Sequence, residues 1–254
     1  MGLPFYYSTT PGEANLIEGE IINALSDEKI EKLLEKTILT TSMCAKNLAD
    51  RGYEEFLGVK VEDKAFTMGN EVFNKNPDYF CTRQKDSKLL VPLNNEVEEL
   101  SHICVREGQN DLEFYPAVTR YKNKKGGSAV VYSGTPLAEF KYTEGFAFLN
   151  ETRKKQFIEI LKKANALPVY ADGDDEILLR AGVLNDGRML VMAINLGFDP
   201  AEQINLYLKK EPKSITMLLP DGTEKEVSFT KNDDGIFELD ICAEPLYPLV
   251  LLIK

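Results

Sequence analysis

The sequence predicts an α/β domain with a β-rich insertion, followed by a small antiparallel β-sandwich. Three observations carry that expectation. Helix-type and strand-type patterns alternate over the first sixty residues. From about Lys60 to Lys125 the periods become short and mixed, broken by turn signals at Asn74-Lys75-Asn76-Pro77, Asn94-Asn95 and Gly108-Gln109-Asn110-Asp111. Beyond residue 171 short strands recur, separated by turns such as Asn185-Asp186-Gly187 and Asp221-Gly222, with no helical pattern among them.

The elements follow in order. Ser26-Asp27-Glu28-Lys29 reads as a helix start, with Ser26 as N-cap and Lys29 where a capping box would place Glu or Gln. Ile30, Leu33 and Leu34 then share one helical face. Thr37 to Thr41 is β-branched and short, a strand. Ser42 is expected to cap a second helix that ends at Gly52, and Phe56-Leu57-Gly58-Val59 resumes extended chain. In the insertion, strands are expected at Lys64 to Met68, Lys88 to Pro92, Leu100 to Val105 and Ala117 to Tyr121.

Gly127 to Gly134 reads as a buried strand, and Asn150 to Ala164 is the clearest helix of the chain. Asn150 is its N-cap, Glu151 its first-turn acid, and Phe157, Ile160 and Leu161 its apolar stripe. The domain boundary is expected between Pro168 and Gly173, giving domains 1–170 and 171–254. In the second, Glu176 to Val183 and Met189 to Asn195 form a hairpin, and Ile204 to Leu208, Ser214 to Leu219, Glu224 to Phe229, Phe237 to Ile241 and Leu249 to Ile253 complete a sandwich or Greek-key barrel.

Composition narrows the functions. With 43% hydrophobic and 28% charged residues, the 254-residue chain is of the globular class and can bury a sizeable core. A net charge of −11 argues against nucleic acid and against anionic membrane surfaces, both of which call for clustered Lys and Arg. The densest basic stretch, Tyr121-Lys122-Asn123-Lys124-Lys125 before Gly126-Gly127, reads as a solvated hairpin tip. No apolar run approaches the ~20 residues of a membrane span. The N-terminus lacks the charge-then-apolar pattern of a signal peptide, and Gly2-Leu3-Pro4 reads like the interior of a protein, with Met1 an added start. Cys44, Cys81, Cys104 and Cys242 are scattered without metal spacing, so reduced structural thiols and a cytoplasmic setting are expected. The sequon Asn150-Glu151-Thr152 would matter only in a secretory pathway.

Candidate chemistry begins at Cys44, which a strand delivers to the mouth of a helix. A thiolate nucleophile needs a base and a group to orient that base. The chain has one histidine, His102, and it is the candidate base. The elbow glycines are missing from Thr41-Ser42-Met43-Cys44-Ala45-Lys46, and the residue two beyond His102 is Cys104 rather than an acid. The favoured reading of Cys44 is a buried helix cysteine, and of His102 a half-exposed strand residue. Asp172-Gly173-Asp174-Asp175-Glu176 and Asn232-Asp233-Asp234-Gly235 lack the full spacing of a calcium loop and fit turn chemistry. No metal and no cofactor is expected. Tryptophan is absent, which leaves Tyr6, Tyr7, Tyr142, Tyr207 and Tyr247 as possible sugar platforms.

The C-terminal part carries a resemblance. Asn195-Leu196-Gly197-Phe198-Asp199-Pro200, Pro220-Asp221-Gly222 and Pro245-Leu246-Tyr247-Pro248 follow one another in the order "N-L-x-x-D-P", "P-D-G", "P-L-x-P". This is similar to the C-terminal region of bacterial glycoside hydrolases of the β-galactosidase type. Leu25-Ser26-Asp27-Glu28-Lys29-Ile30-Glu31-Lys32-Leu33-Leu34 before Ile38-Leu39-Thr40-Thr41 resembles the preceding helix and strand in that family. The resemblance implies a flavodoxin-like, class I glutamine amidotransferase-like domain that has lost its triad, then the sandwich. It also implies a catalytic barrel lying upstream in the same polypeptide as the partner of this region, a role in subunit contacts of a homo-oligomer, and no catalytic residue here. The alternative is a class I amidotransferase-like or peptidase-like enzyme with Cys44 as nucleophile and His102 as base, and a third reading is a tyrosine-based sugar-binding module.

Overall fold

A computed structural model of the chain describes residues 2–66, 69–84, 87–106, 112–134, 151–173 and 176–254, apart from the side chains of residues 65, 80–84 and 106. The chain divides into two compact units. One is Thr10–Ala166; the other joins the residues up to Thr9 to Leu167–Lys254. Among the described residues the architecture is α/β in the first and a two-sheet β-structure in the second.

In the α/β unit, β1 (Ala14–Ile17) leads through a 3-10 turn (Ile21–Ala24) to α1 (Asp27–Leu34). The Ser26 hydroxyl accepts from Lys29 N–H at 3.4 Å, so the cap forms as its residue type dictates. Ile30, Leu33 and Leu34 are the buried face. β2 (Thr37–Thr41) is buried at every position because it lies between β1 and a later strand. α2 (Ser42–Asp50) follows without a loop, and here the sequence expectation shifts by one residue. Thr41, not Ser42, is the N-cap, its hydroxyl accepting from Cys44 N–H. Gly52 closes α2 at φ +86°, the left-handed C′ position.

α3 (Glu54–Leu57), β3 (Val59–Phe66), β4 (Gly69–Val72), β5 (Phe80–Gln84), β6 (Ser87–Pro92), β7 (Glu98–Arg106), β8 (Leu112–Lys122), β9 (Ser128–Tyr132) and α4 (Glu151–Lys163) complete the unit. Of the strand expected at Lys64 to Met68, Lys64 to Phe66 are the end of the longer β3, and residues 67–68 lie outside the described set. The expected turn at 108–111 and the cap at Asn150 also lie outside it. The β-rich insertion joins the main sheet. Its strands extend the parallel trio β1, β2, β9 with antiparallel neighbours, in the order β1-β2-β9-β8-β7-β4-β5, while β3 and β6 pair by themselves. The β8–β9 tip is tied down as well as solvated. Asn123 is buried and its amide donates to the Leu34 carbonyl at 2.9 Å, and a Cβ on Gly127 would fall 2.3 Å from that carbonyl. Glycine is required there by close approach to the end of α1.

Two groups of contacts mark the faces of this sheet. Ile38, Ala129 and Val131 join Cys44, Leu48 and Leu57 of the helices α2 and α3 in one apolar cluster. Tyr132 stacks on Phe157 of α4 at 5.9 Å. Beside it, Arg153 donates to both carboxylate oxygens of Glu71 on β4, one contact measuring 3.0 Å, and both side chains are fully buried. Ser101 of β7 donates to the same carboxylate, and Gln156 donates to Ser101 Oγ at 3.3 Å.

The β unit has β10 (Val169–Ala171), β11 (Ile177–Val183), β12 (Met189–Asn195), β13 (Ile204–Leu208), β14 (Ile215–Leu218), β15 (Glu224–Glu226), β16 (Phe229–Lys231), β17 (Ile236–Leu239) and β18 (Pro248–Ile253). They form sheets β10-β13-β17-β16 and β11-β12-β18-β14-β15. Alternating inward residues such as Leu179, Val191, Leu206, Phe237 and Leu251 make the shared core. The strand expected from Glu224 to Phe229 is two strands in different sheets. Val227 is buried between them, its N–H donating to Ile215 O at 2.9 Å, so the chain crosses the core at that residue. The N-terminal segment also belongs here: Gly2 N–H donates to Ile177 O at 3.0 Å and Gly2 O accepts from Ala171 N–H at 2.8 Å.

Breaking the buried pair should be costly. Arg153→Met leaves a carboxylate buried without its cation and is expected to lower stability by about 3–5 kcal/mol, whereas the Glu71→Gln, Arg153→Met double variant regains most of the loss. Urea unfolding followed by circular dichroism reads both, and equal midpoints for wild type and Arg153→Met would contradict the assignment.

Candidate functional site

In open α/β sheets ligands gather outside the carboxyl ends of the parallel strands. Here those ends are level. Ile17 pairs with Thr40 and Thr41 with Tyr132, so Glu18, Ser42 and Ser133 follow at one edge. Cys44 is the third residue of α2 at this edge. A helix N-terminus can lower a thiol's pKa, but desolvation opposes it. Cys44 is fully buried among Ile17, Ile22 and Leu48, and burial pushes its thiol up; the Thr40 hydroxyl pulls back part of that rise and the Glu18 carboxylate adds to it. Burial also raises the Glu18 carboxyl. The result is a thiol held in its neutral form near a carboxyl group, in a fully buried residue.

His102 does not join this edge. It sits on β7, opposite Val72 and Pro116, and β9 and β8 lie between β7 and the strand that delivers Cys44. At about 4.8 Å per strand that is a separation of ~14 Å, beyond proton transfer without an intermediary. Its Nε2 lies 2.7 Å from Glu99 Oε2, a carboxylate that Lys75 also approaches at 3.7 Å. The ring is buried rather than half-exposed, and Nδ1 has no hydrogen-bond partner among the described residues. Cys104 is likewise buried, and the Cys81 side chain lies outside the described set. The structure therefore brings Cys44 and Glu18 together and leaves His102 apart.

Sequence reasoning missed the polar cluster on α4, although a signal existed. Arg153, Gln156, Phe157, Ile160 and Leu161 follow the spacing of a single helical face, so two polar residues stand in core register. The Arg153 guanidinium lies 5.4 Å from the Tyr132 ring centre. Its two terminal nitrogens are bonded to Glu71 and Gln156, which makes it a structural tie.

A cleft of about 550 Å³ opens at the opposite, amino end of the parallel strands, beside Thr37 and Ser128. Its charges neutralise one another: Lys36 pairs with Glu13 at 2.8 Å, and Arg120 and Lys163 both pair with Glu98 at 2.6 and 3.0 Å. Such a lining favours no charged ligand.

The tyrosines scatter. Tyr6, Tyr7 and Tyr247 are exposed, and Tyr142 lies outside the described residues. Tyr207 stacks on Tyr170 at 4.8 Å, which occupies its ring face, and burial pushes the Tyr170 phenol up to about 12. At 232–235, Asn232 Oδ1 accepts from Asp234 and Ile236 N–H and Gly235 takes φ +79°, a turn built from its own backbone. Residues 174–175 of the other acidic loop lie outside the described set. Among the described residues no three His, Cys, Asp or Glu side chains gather to hold a metal ion. None of the helices described is long and apolar enough to cross a membrane.

No protein-family model matches the chain. No curated protein matches it. Among solved structures it is similar to alpha-L-fucosidase isoenzyme 2 from Paenibacillus thiaminolyticus, with a TM-score of 0.57 and 11% identity over 94% of this chain. The chain spans 40% of the length of that fucosidase chain, and at this identity the likeness is one of fold, linking this chain to the architecture of a glycoside hydrolase.

Proposed function

We propose that this chain is a non-catalytic accessory region of a glycoside hydrolase, with the catalytic barrel lying upstream in the same polypeptide. One observation carries the reading. Nearly the whole chain, 94%, has the fold of less than half of a glycoside hydrolase chain. Its interior supports it: the thiol at the carboxyl edge is buried with its pKa raised, and the histidine stands three strands away. Under this reading Thr10–Ala166 is an amidotransferase-like, flavodoxin-like domain whose parallel trio keeps the strand-to-helix placement of a nucleophile without its chemistry. Joining of subunits is part of the same proposal.

The test is hydrolysis of aryl glycosides, α-L-fucoside and β-galactoside among them. The 254-residue chain is expected to turn over none of them, and the longer polypeptide at least one. Turnover by this chain alone, or a source gene without a (β/α)8 pattern upstream, would end the reading.

Alkylation separates it from a cysteine enzyme. At neutral pH iodoacetamide is expected to modify exposed Cys242 and to leave Cys44 untouched until the protein is unfolded. Rapid modification of Cys44 in the folded chain, read by peptide mass spectrometry, would favour the amidotransferase-like or peptidase-like alternative.

A further inference from the structure

At one end of the β unit, two loops carry apolar side chains into solvent. Leu196 and Phe198 stand on the first, and Leu246 and Tyr247 on the second, with Phe198 fully exposed and Leu246 exposed to 71%. The loops are stitched to one another. The buried Asn195 amide donates to Asp199 O at 2.8 Å and to Ala243 O at 2.9 Å, and Leu246 N–H donates to Asn195 O at 2.7 Å. Ala201 and Ala243 exchange both backbone hydrogen bonds beside them. Leu246 adopts φ +60°, a conformation that a branched side chain enters only at a cost, and its side chain is held outward there. Large apolar side chains exposed together on adjoining loops are a feature of surfaces that contact another macromolecule.

The charge around the patch has one sign. Glu176, Asp199, Glu202 and Glu244 are exposed at this end. The stretches 171–179, 189–208 and 232–253, which carry the two apolar loops and the Ala171–Glu176 connection, hold no Lys or Arg. A second copy offering the same face would set acid against acid, whereas a surface with Lys and Arg around an apolar centre is complementary. The chain enters the unit here too. Gly2 is bonded to Ala171 and Ile177, and Leu196 N–H donates to Glu176 O at 2.8 Å in the neighbouring position. Any polypeptide preceding Gly2 leaves from beside the patch, so docking would be intramolecular at high effective concentration.

We infer that this loop end is the face on which the catalytic domain of the same polypeptide docks, through an apolar surface ringed by Lys and Arg. The inference rests on the proposal that such a domain lies upstream. Cys242, exposed on the second loop next to Ala243, is a built-in reporter. N-ethylmaleimide labelling of the Cys242 peptide, followed by mass spectrometry, is compared between the longer polypeptide and the 254-residue chain. Labelling is expected to be at least tenfold slower in the longer polypeptide, and Phe198→Asp with Leu246→Asp should restore the faster rate. Equal rates in the two chains overturn the inference, as does slow labelling that the two substitutions leave unchanged. Slowing in the 254-residue chain that grows with concentration, alongside a sedimenting dimer, also overturns it and assigns the face to a second copy. An upstream sequence without a catalytic domain would instead defeat the reading beneath it.

Discussion

The buried contact between Arg153 and Glu71 sets how the α/β unit is assembled. A charged pair excluded from water is not a large source of net stability, since the cost of desolvating both ions offsets most of their attraction. What it imposes is specificity. The guanidinium must meet a carboxylate on β4, the Gln156 amide must meet a hydroxyl on β7, and Tyr132 on β9 must receive Phe157. Only one rotation of α4 about its axis meets all three demands. The contacts join residues as far as 82 positions apart, so they fix the strand order β9-β8-β7-β4 beneath the helix as well as the helix upon it.

Close packing also decides the chemistry at Cys44, which follows Thr41, the register partner of Tyr132. β2 is covered on both faces, and the helix it feeds begins in the next residue. Cys44 therefore starts life in apolar surroundings. The partial positive charge of a helix N-terminus contributes ~0.5 of an elementary charge, spread over several N–H groups, and Thr41 already takes the one on Cys44. Burial is the larger effect. The thiol is raised, and the nearby Glu18 carboxylate reinforces that direction instead of opposing it. An active site would need a cation or an imidazole at this edge, and His102 is engaged with Glu99 three strands away.

Local pattern made some of this legible and could not make the rest so. α1, β2, α4 and the strands from β11 to β14 follow from caps and periodicity, because their residues answer to neighbours close in sequence. β1 is four residues long and gives no usable period. The residues up to Thr9 join the β unit through backbone bonds from Gly2 that no side-chain pattern announces. The insertion strands read as a β-rich departure from the α/β alternation, and their place in the main sheet is set by pairing, which composition does not show. Val227 is apolar in either reading, so its crossing between sheets is invisible until both sheets exist. At the candidate site the residue types were legible and their separation was not, since the distance between Cys44 and His102 is set entirely by strand order.

The phrases that carry the family resemblance have a structural cause. In "N-L-G-F-D-P" the first residue must be one that can donate two hydrogen bonds to carbonyls of different loops while accepting from Gly197 N–H, and an amide does all three. An aspartate in its place could not donate, and an apolar residue would lose all three bonds at once, with Ala243 O keeping only its bond from Ala201 N–H. The "P-L-x-P" phrase sits where Asn195 O receives Leu246 N–H, so the two motifs are halves of one clamp. The clamp requires the asparagine and the backbone path; it does not require Phe198 and Leu246 to be large and apolar, because their side chains point away from it into solvent. Those two side chains are therefore free of the constraint that explains their neighbours.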